Sequence, residues 1–185
     1  VCYCPVAGAL GAVLPSNSPG VNSLWIPAVA MKIPIVIKPG SEEPWTPWRI
    51  IQALIAAGCP AEAFSYYPTS HAGADDIVQT CGASIVFGDR AVAERYAHRP
   101  HVNIHGPGHS KVIIDNRELS RYCEFIDVLV DSVSANGGRS CINASTIVCL
   151  GPADELAEAL ATRLSAITPR QLDDPQAQLS AFANP

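Results

Sequence analysis

Charge is scarce in this chain. Lys and Arg together number 12, Asp and Glu 17, and the net charge over 185 residues is −5. No basic stripe is available to track a phosphate backbone, so nucleic acid is not expected as a partner. Long uncharged apolar runs are also missing. No stretch reaches the roughly 18 residues that a membrane-spanning helix needs, so no membrane partner is expected. The first residues carry no basic segment ahead of an apolar one, and no secretory leader is expected. Metal-ligand pairs are sparse. Cys2-x-Cys4 lies in an alternating, strand-like segment and nothing near it completes a zinc site, so no metal is expected. The seven cysteines are odd in number and irregularly spaced. In a chain too long to need staples they read as reduced thiols of a cytoplasmic protein.

The chain instead has a rhythm. Short apolar, β-branched runs alternate with amphipathic segments. Strands are predicted over Ala9–Pro15, Ile33–Ile37, Ala63–Tyr67, Ala83–Phe87 and Val102–His105. Helices are predicted over Val21–Met31 (interrupted by Pro27), from Thr46 as N-cap with Pro47 at the first helical position, over Gly73–Cys81 and over Ala91–Ala97. Near-continuous apolar strands alternating with helices indicate an α/β fold, a parallel sheet covered on both faces. Ligands of such sheets bind beyond the carboxyl ends of the strands, where Asn17, Lys38, Gly88 and His105 fall. After Gly106-Pro107-Gly108-His109-Ser110-Lys111 the rhythm changes. A short strand at Val112–Ile114 precedes a long helix, Leu119–Ala135, then a strand at Thr146–Leu150 and a helix at Asp154–Ile167. Trp25, Trp45 and Trp48 read as packing residues.

One segment departs from structural economy: Asn136-Gly137-Gly138-Arg139-Ser140-Cys141. It sets a thiol after two glycines, between a helix pattern and a strand pattern. That is a poor place to hide a cysteine and a good one to offer it to a substrate.

Taken in order, Pro15-Ser16-Asn17-Ser18-Pro19, Ile37-Lys38-Pro39, Ala57-Gly58-Cys59-Pro60, Phe87-Gly88 and Gly137-Gly138-Arg139-Ser140-Cys141 resemble the motifs of the aldehyde dehydrogenase superfamily. The resemblance runs from about Pro5 to Ile167. It implies a Rossmann-like nicotinamide dinucleotide-binding domain over 1–115 and the beginning of an α/β catalytic domain over 116–185. It also implies an NAD(P)-dependent oxidation of a small-molecule aldehyde through a cysteine thiohemiacetal and a thioester. The cofactor expected is NAD, with NADP as the alternative, and the full-length protein is expected to be a homo-oligomer.

The same resemblance assigns roles. Cys141 is the nucleophile, and Asn17 is the side-chain oxyanion donor beside the cysteine's own N–H. Lys38 holds the adenine-side ribose, and Glu42 assists there, which favours NAD because a carboxylate repels a 2′-phosphate. Gly88 lets a helix N-terminus approach the pyrophosphate, whereas Asp89 would cap that helix and repel phosphate. Apart from the resemblance, Arg139 stands two residues before the thiol, where a guanidinium can lower the thiol pKa or hold an anionic substrate. Hydrolytic members carry a glutamate where this chain has His105. A histidine can act as base, but the missing glutamate and the segment Gly106–Ser110 are also similar to members that pass the acyl group to coenzyme A. Coenzyme A is therefore the alternative acceptor. A third reading is a catalytically silent, fold-retaining partner of a fuller enzyme.

Overall fold

The structure, a computed structural model, describes residues 7–171 and 173–179. Cys2 and Cys4 lie outside the described residues. The chain divides into two compact units, Val1–Pro107 and Gly108–Pro185.

The first unit is a five-stranded parallel sheet in the order β3-β2-β1-β4-β5. Its strands are β1 (Leu10–Val13), β2 (Ile35–Lys38), β3 (Phe64–Tyr66), β4 (Ala83–Phe87) and β5 (Val102–His105). Its helices are α1 (Ile26–Ala30), α2 (Trp45–Ala56), α3 (His71–Thr80) and α4 (Arg90–Tyr96). Because strand side chains alternate, the central strands β1 and β4 feed two cores. Ala12, Ile35 and Ile37 pack with Trp25 and Ala28 and with Ile51 of α2. Val13, Val86, Val102 and Ile104 pack with Val78 of α3 and with Val92 and Tyr96 of α4. The sheet is thus covered on both faces, which is what its near-continuous apolar strands require.

Three local expectations change. Pro27 does not interrupt a long helix. It sits in the first turn of the short α1, where a missing N–H costs nothing, and the preceding residues Pro19–Leu24 form a 3-10 helix. Thr46 is not the N-cap of α2. The helix starts at Trp45, and the carboxylate of Glu43 accepts from the Thr46 N–H at 3.0 Å. Among the tryptophans, Trp25 is fully buried and donates from Nε1 to Asn22 Oδ1 at 2.8 Å, whereas Trp45 is 63% exposed and is not a core residue.

The second unit pairs β6 (Lys111–Ile114) with β7 (Thr146–Cys149) in parallel. Because β6 finds its partner beyond 115, the compact unit begins at Gly108 rather than at residue 116. The single helix expected over Leu119–Ala135 is three pieces: α5 (Asn116–Leu119), a 3-10 turn at Tyr122–Glu124, and α6 (Ile126–Ser134). Arg121 and Phe125 leave helical geometry between them, at φ −104° and −130°. Leu119, Ile126, Leu129 and Val130 still reach one core with Ile114 and with Leu156 of α7 (Asp154–Ser165). Among the described residues, no helix is long and apolar enough to cross a membrane.

Candidate active site

In the first unit a cleft opens where the strand order reverses, between β1 and its neighbours β2 and β4. Its volume is about 410 Å³, and the segments leaving the carboxyl ends of those three strands line it. This is where parallel α/β sheets place ligands. Lys38, the last residue of β2, is only 7% exposed, yet it lines the cleft. Burial lowers its pKa from the ordinary 10.5, because an ammonium taken out of water loses solvation. No hydrogen bond or ion pair within the described residues offsets that loss for its side chain. A lysine so placed is built to meet an acceptor that arrives from outside.

The cleft wall is tight. A Cβ on Gly40 would stand 2.3 Å from Ser16 Oγ and 2.7 Å from the Pro15 carbonyl oxygen. Ser16 Oγ also accepts from the N–H of Glu42 at 3.1 Å. These contacts pin the turn after β2 to the turn after β1. They fix Glu42, exposed, in the cleft lining. A Cβ on Gly88 would fall 2.5 Å from the Cβ of Val92, so the glycine is what allows α4 to start directly after β4. Asp89 caps α4 by accepting from the Val92 N–H at 2.9 Å. Its charge lies on the cleft lining beside Gly88. Deeper in, the buried Tyr96 donates to Asp75, which also pairs with Arg95. Burial first, and then the Asp75 bond, push the Tyr96 phenol up to about 12.

His105 ends β5. Its ring stacks on Phe87, with centroids 4.7 Å apart and planes at 20°. Its carbonyl accepts from the Gly88 N–H at 3.2 Å. Nε2 is buried without a hydrogen-bond partner among the described residues.

In the second unit a loop carries the thiol. Asn136, Gly137 and Gly138 are three successive residues in the left-handed region, at φ 54°, 64° and 70°. Glycine and asparagine are the residues that enter this region most cheaply, which explains the Asn-Gly-Gly run. The reversal ends α6 and turns the chain outward, and Cys141 and Ile142 are exposed. Gly108 lies against the other side of the loop. A Cβ there would stand 1.8 Å from the Cys141 carbonyl oxygen, so only glycine fits. The hydroxyl of Ser110 donates to the same carbonyl in a long bond of 3.4 Å.

A model of the aldehyde dehydrogenase family matches residues 1–185. The chain belongs to that family. It is 27% identical over 173 residues to a geranial dehydrogenase of Castellaniella defragrans, covering 86% of this chain and 35% of that protein. Among solved structures it is similar to an aldehyde dehydrogenase of Mycobacterium tuberculosis complexed with NAD+, with a TM-score of 0.76, 25% identity, and coverage of 93% of this chain and 37% of that one. It is also similar in fold to a gamma-glutamyl-gamma-aminobutyraldehyde dehydrogenase of Burkholderia cenocepacia, with a TM-score of 0.78, 24% identity, and coverage of 95% and 37%. The chain thus spans little more than a third of the length of these relatives.

Of the residues read from the sequence of this aldehyde dehydrogenase chain, Lys38, Glu42 and Gly88 share one cleft. Asn17 follows Ser16 of the cleft wall and is itself half-buried in the turn after β1. His105 neighbours the wall through Phe87 and Gly88. Cys141 stands in the other unit. Sequence reasoning gave no role to Gly40 or the Asp75–Tyr96 pair, which belong to no motif, nor to Ser16, which lies inside the Pro15–Pro19 motif. It also missed Asn143, whose only signal was its place two residues after the thiol.

Proposed function

We propose that this chain is the dinucleotide-binding and nucleophile-bearing part of an NAD-dependent aldehyde dehydrogenase. The observation that carries the reading is Lys38: a buried, desolvated amine facing a cleft at the switch point of a parallel sheet in a chain of this family. The cleft residues fit a dinucleotide. Lys38 and Glu42 would hold ribose hydroxyls, one as donor and one as acceptor, and the tight Gly88 turn would bring α4 up to the pyrophosphate. Asp89 opposes the phosphates and weakens that hold. Glu42 favours NAD over NADP by repelling a 2′-phosphate.

NAD, when bound, supplies the hydride acceptor. The chain supplies the nucleophile. The Cys141 thiolate adds to the aldehyde carbon, and the carbonyl oxygen takes the electron pair. The N–H of Cys141, which has no acceptor among the described residues, is the backbone donor for that charge. Asn17 enters as the second donor through its matching place in the family motif. Loss of hydride leaves an acyl thioester on Cys141, released to water with His105 as base. The alternative acceptor is coenzyme A, favoured by the histidine in place of the hydrolytic glutamate. The segment Gly106–Ser110 and Asn136-Gly137 are also similar to the acylating branch; within that segment Gly108 has a packing reason of its own against Cys141.

The test is NAD reduction by the whole gene product with a panel of aldehydes, with and without coenzyme A, beside Cys141→Ala. Thiol-dependent turnover without coenzyme A is the expected result. Turnover only with coenzyme A would transfer the reading to the acylating branch. A folded product that turns over no aldehyde in either condition would leave the chain as a silent partner.

A further inference from the structure

We infer that Asn143 is a positioning residue for the Cys141 loop, one that decides which backbone N–H is left to meet the substrate oxygen. The inference rests on the reading of Cys141 as nucleophile. Three consecutive amides lead to and include the thiol residue. The N–H of Arg139 donates to the Asn136 carbonyl at 3.3 Å. The N–H of Ser140 donates to Oδ1 of Asn143 at 2.8 Å. The N–H of Cys141 has no acceptor among the described residues. The Asn143 carboxamide therefore removes the nearest competing donor and fixes the plane of the peptide that precedes Ser140.

The other half of the carboxamide faces the end of α6. Nδ2 donates to the Ser132 carbonyl at 3.2 Å and to the Ala135 carbonyl at 3.0 Å. One acceptor and two donors are all engaged at once, the pattern only an amide side chain of this length provides. The backbone reinforces it: the Asn143 N–H donates to the Ser140 carbonyl at 3.0 Å, and the Ala144 N–H to the Ser132 carbonyl at 2.8 Å. The left-handed turn at Asn136–Gly138 gives the loop its reversal, and Asn143 holds the two ends of that reversal together. An oxyanion donor is most effective when it is fixed before charge develops, because no reorganisation is then needed during the reaction.

The test compares Asn143→Ala and Asn143→Asp with the parent in the whole gene product. Asn143→Ala should lower kcat by on the order of tenfold to a hundredfold with KM near the parent value, the scale of a small misplacement at a reacting centre. Asn143→Asp keeps the acceptor for Ser140 but turns a carboxylate toward two carbonyl oxygens. Its kcat, as a ratio to the parent at each pH, should rise as the pH falls and the protonated acid regains a donor. Amide exchange followed by NMR gives a readout without turnover: the Ser140 N–H should be protected in the parent and in the aspartate variant, and lose protection in the alanine variant. Unchanged kcat in Asn143→Ala, a flat ratio for Asn143→Asp, or an unprotected Ser140 amide in the parent would each overturn the assignment. If Cys141→Ala loses turnover while the Asn143 variants keep it, only this inference fails. If Cys141→Ala keeps turnover, or the parent has none, the nucleophile reading fails and takes this inference with it.

Discussion

Phe87 and His105 face each other across adjacent parallel strands, paired in register and stacked ring on ring. The histidine proposed as base is therefore held by packing on one side, while its Nε2 has no hydrogen-bond partner among the described residues. His105→Leu keeps an apolar body against Phe87 and removes both ring nitrogens. We expect kcat to fall by about a hundredfold, the usual scale for losing a positioned base, with Tm changed by no more than about 2–4 °C. Steady-state assays beside thermal melts check this, and an unchanged kcat would reduce the histidine to a packing role.

Lys38→Met should make the folded chain more stable and the cofactor weaker. Burial lowers the folded pKa of Lys38. Below that folded value both states carry the proton and the whole cost of burying the ammonium is present. As pH rises from there toward the ordinary 10.5, the folded amine discharges first and stability recovers. At neutral pH the methionine removes the cost, so Tm should rise. NAD binding should weaken by roughly tenfold to a hundredfold, the worth of a hydrogen bond to a charged group. Calorimetry on both proteins reads the two effects.

Asp89→Asn separates capping from charge. Asparagine caps a helix about as well as aspartate, so stability should stay within about 0.5 kcal/mol. With the negative charge gone from the cleft lining, NAD should bind several-fold more tightly, and the gain should shrink as salt is added. Titration at two ionic strengths tests both parts.

Tyr96 should ionise late. Its phenol is pushed up to about 12 by burial and by its bond to Asp75. A group whose folded pKa is raised contributes stability that is complete below the ordinary value of 10.0 and is lost as pH rises toward about 12. Asp75→Asn removes the charged acceptor, so ultraviolet titration of tyrosinate should show this residue ionising earlier. The loss of stability as pH rises from 10.0 toward about 12 should accordingly be smaller in that variant.

Gly108→Ala should distort the thiol loop, because the new Cβ would overlap the Cys141 carbonyl. We expect the rate of Cys141 alkylation by iodoacetamide, followed by mass spectrometry, to change, while Cys59 in the other unit reacts as before.

The sheet was legible because burial on both faces writes itself into sequence as unbroken Ile and Val. The cleft was legible because strand ends follow from the strands. What was not legible has physical reasons. From Leu119 to Val130 the apolar spacing records which side chains reach the core, and two non-helical residues can interrupt the backbone without disturbing that record. The start of α2 was misread because the helix begins one residue earlier, at Trp45, and Thr46 sits in its first turn, where its own N–H donates to the Glu43 carboxylate three residues upstream. Asn143 was invisible because its partners are two backbone carbonyls and a backbone N–H, and main-chain atoms have no letter in a sequence.

The shape of the Cys141 loop is set by Asn136, Gly137, Gly138, Gly108 and Asn143, and Cys141 is not one of them. Presentation and reactivity are thus separate inheritances. The residue at 141 can be exchanged while the stage on which it stands remains, so the loop can carry serine, alanine or a labelled thiol as a replaceable reporter of whatever approaches it.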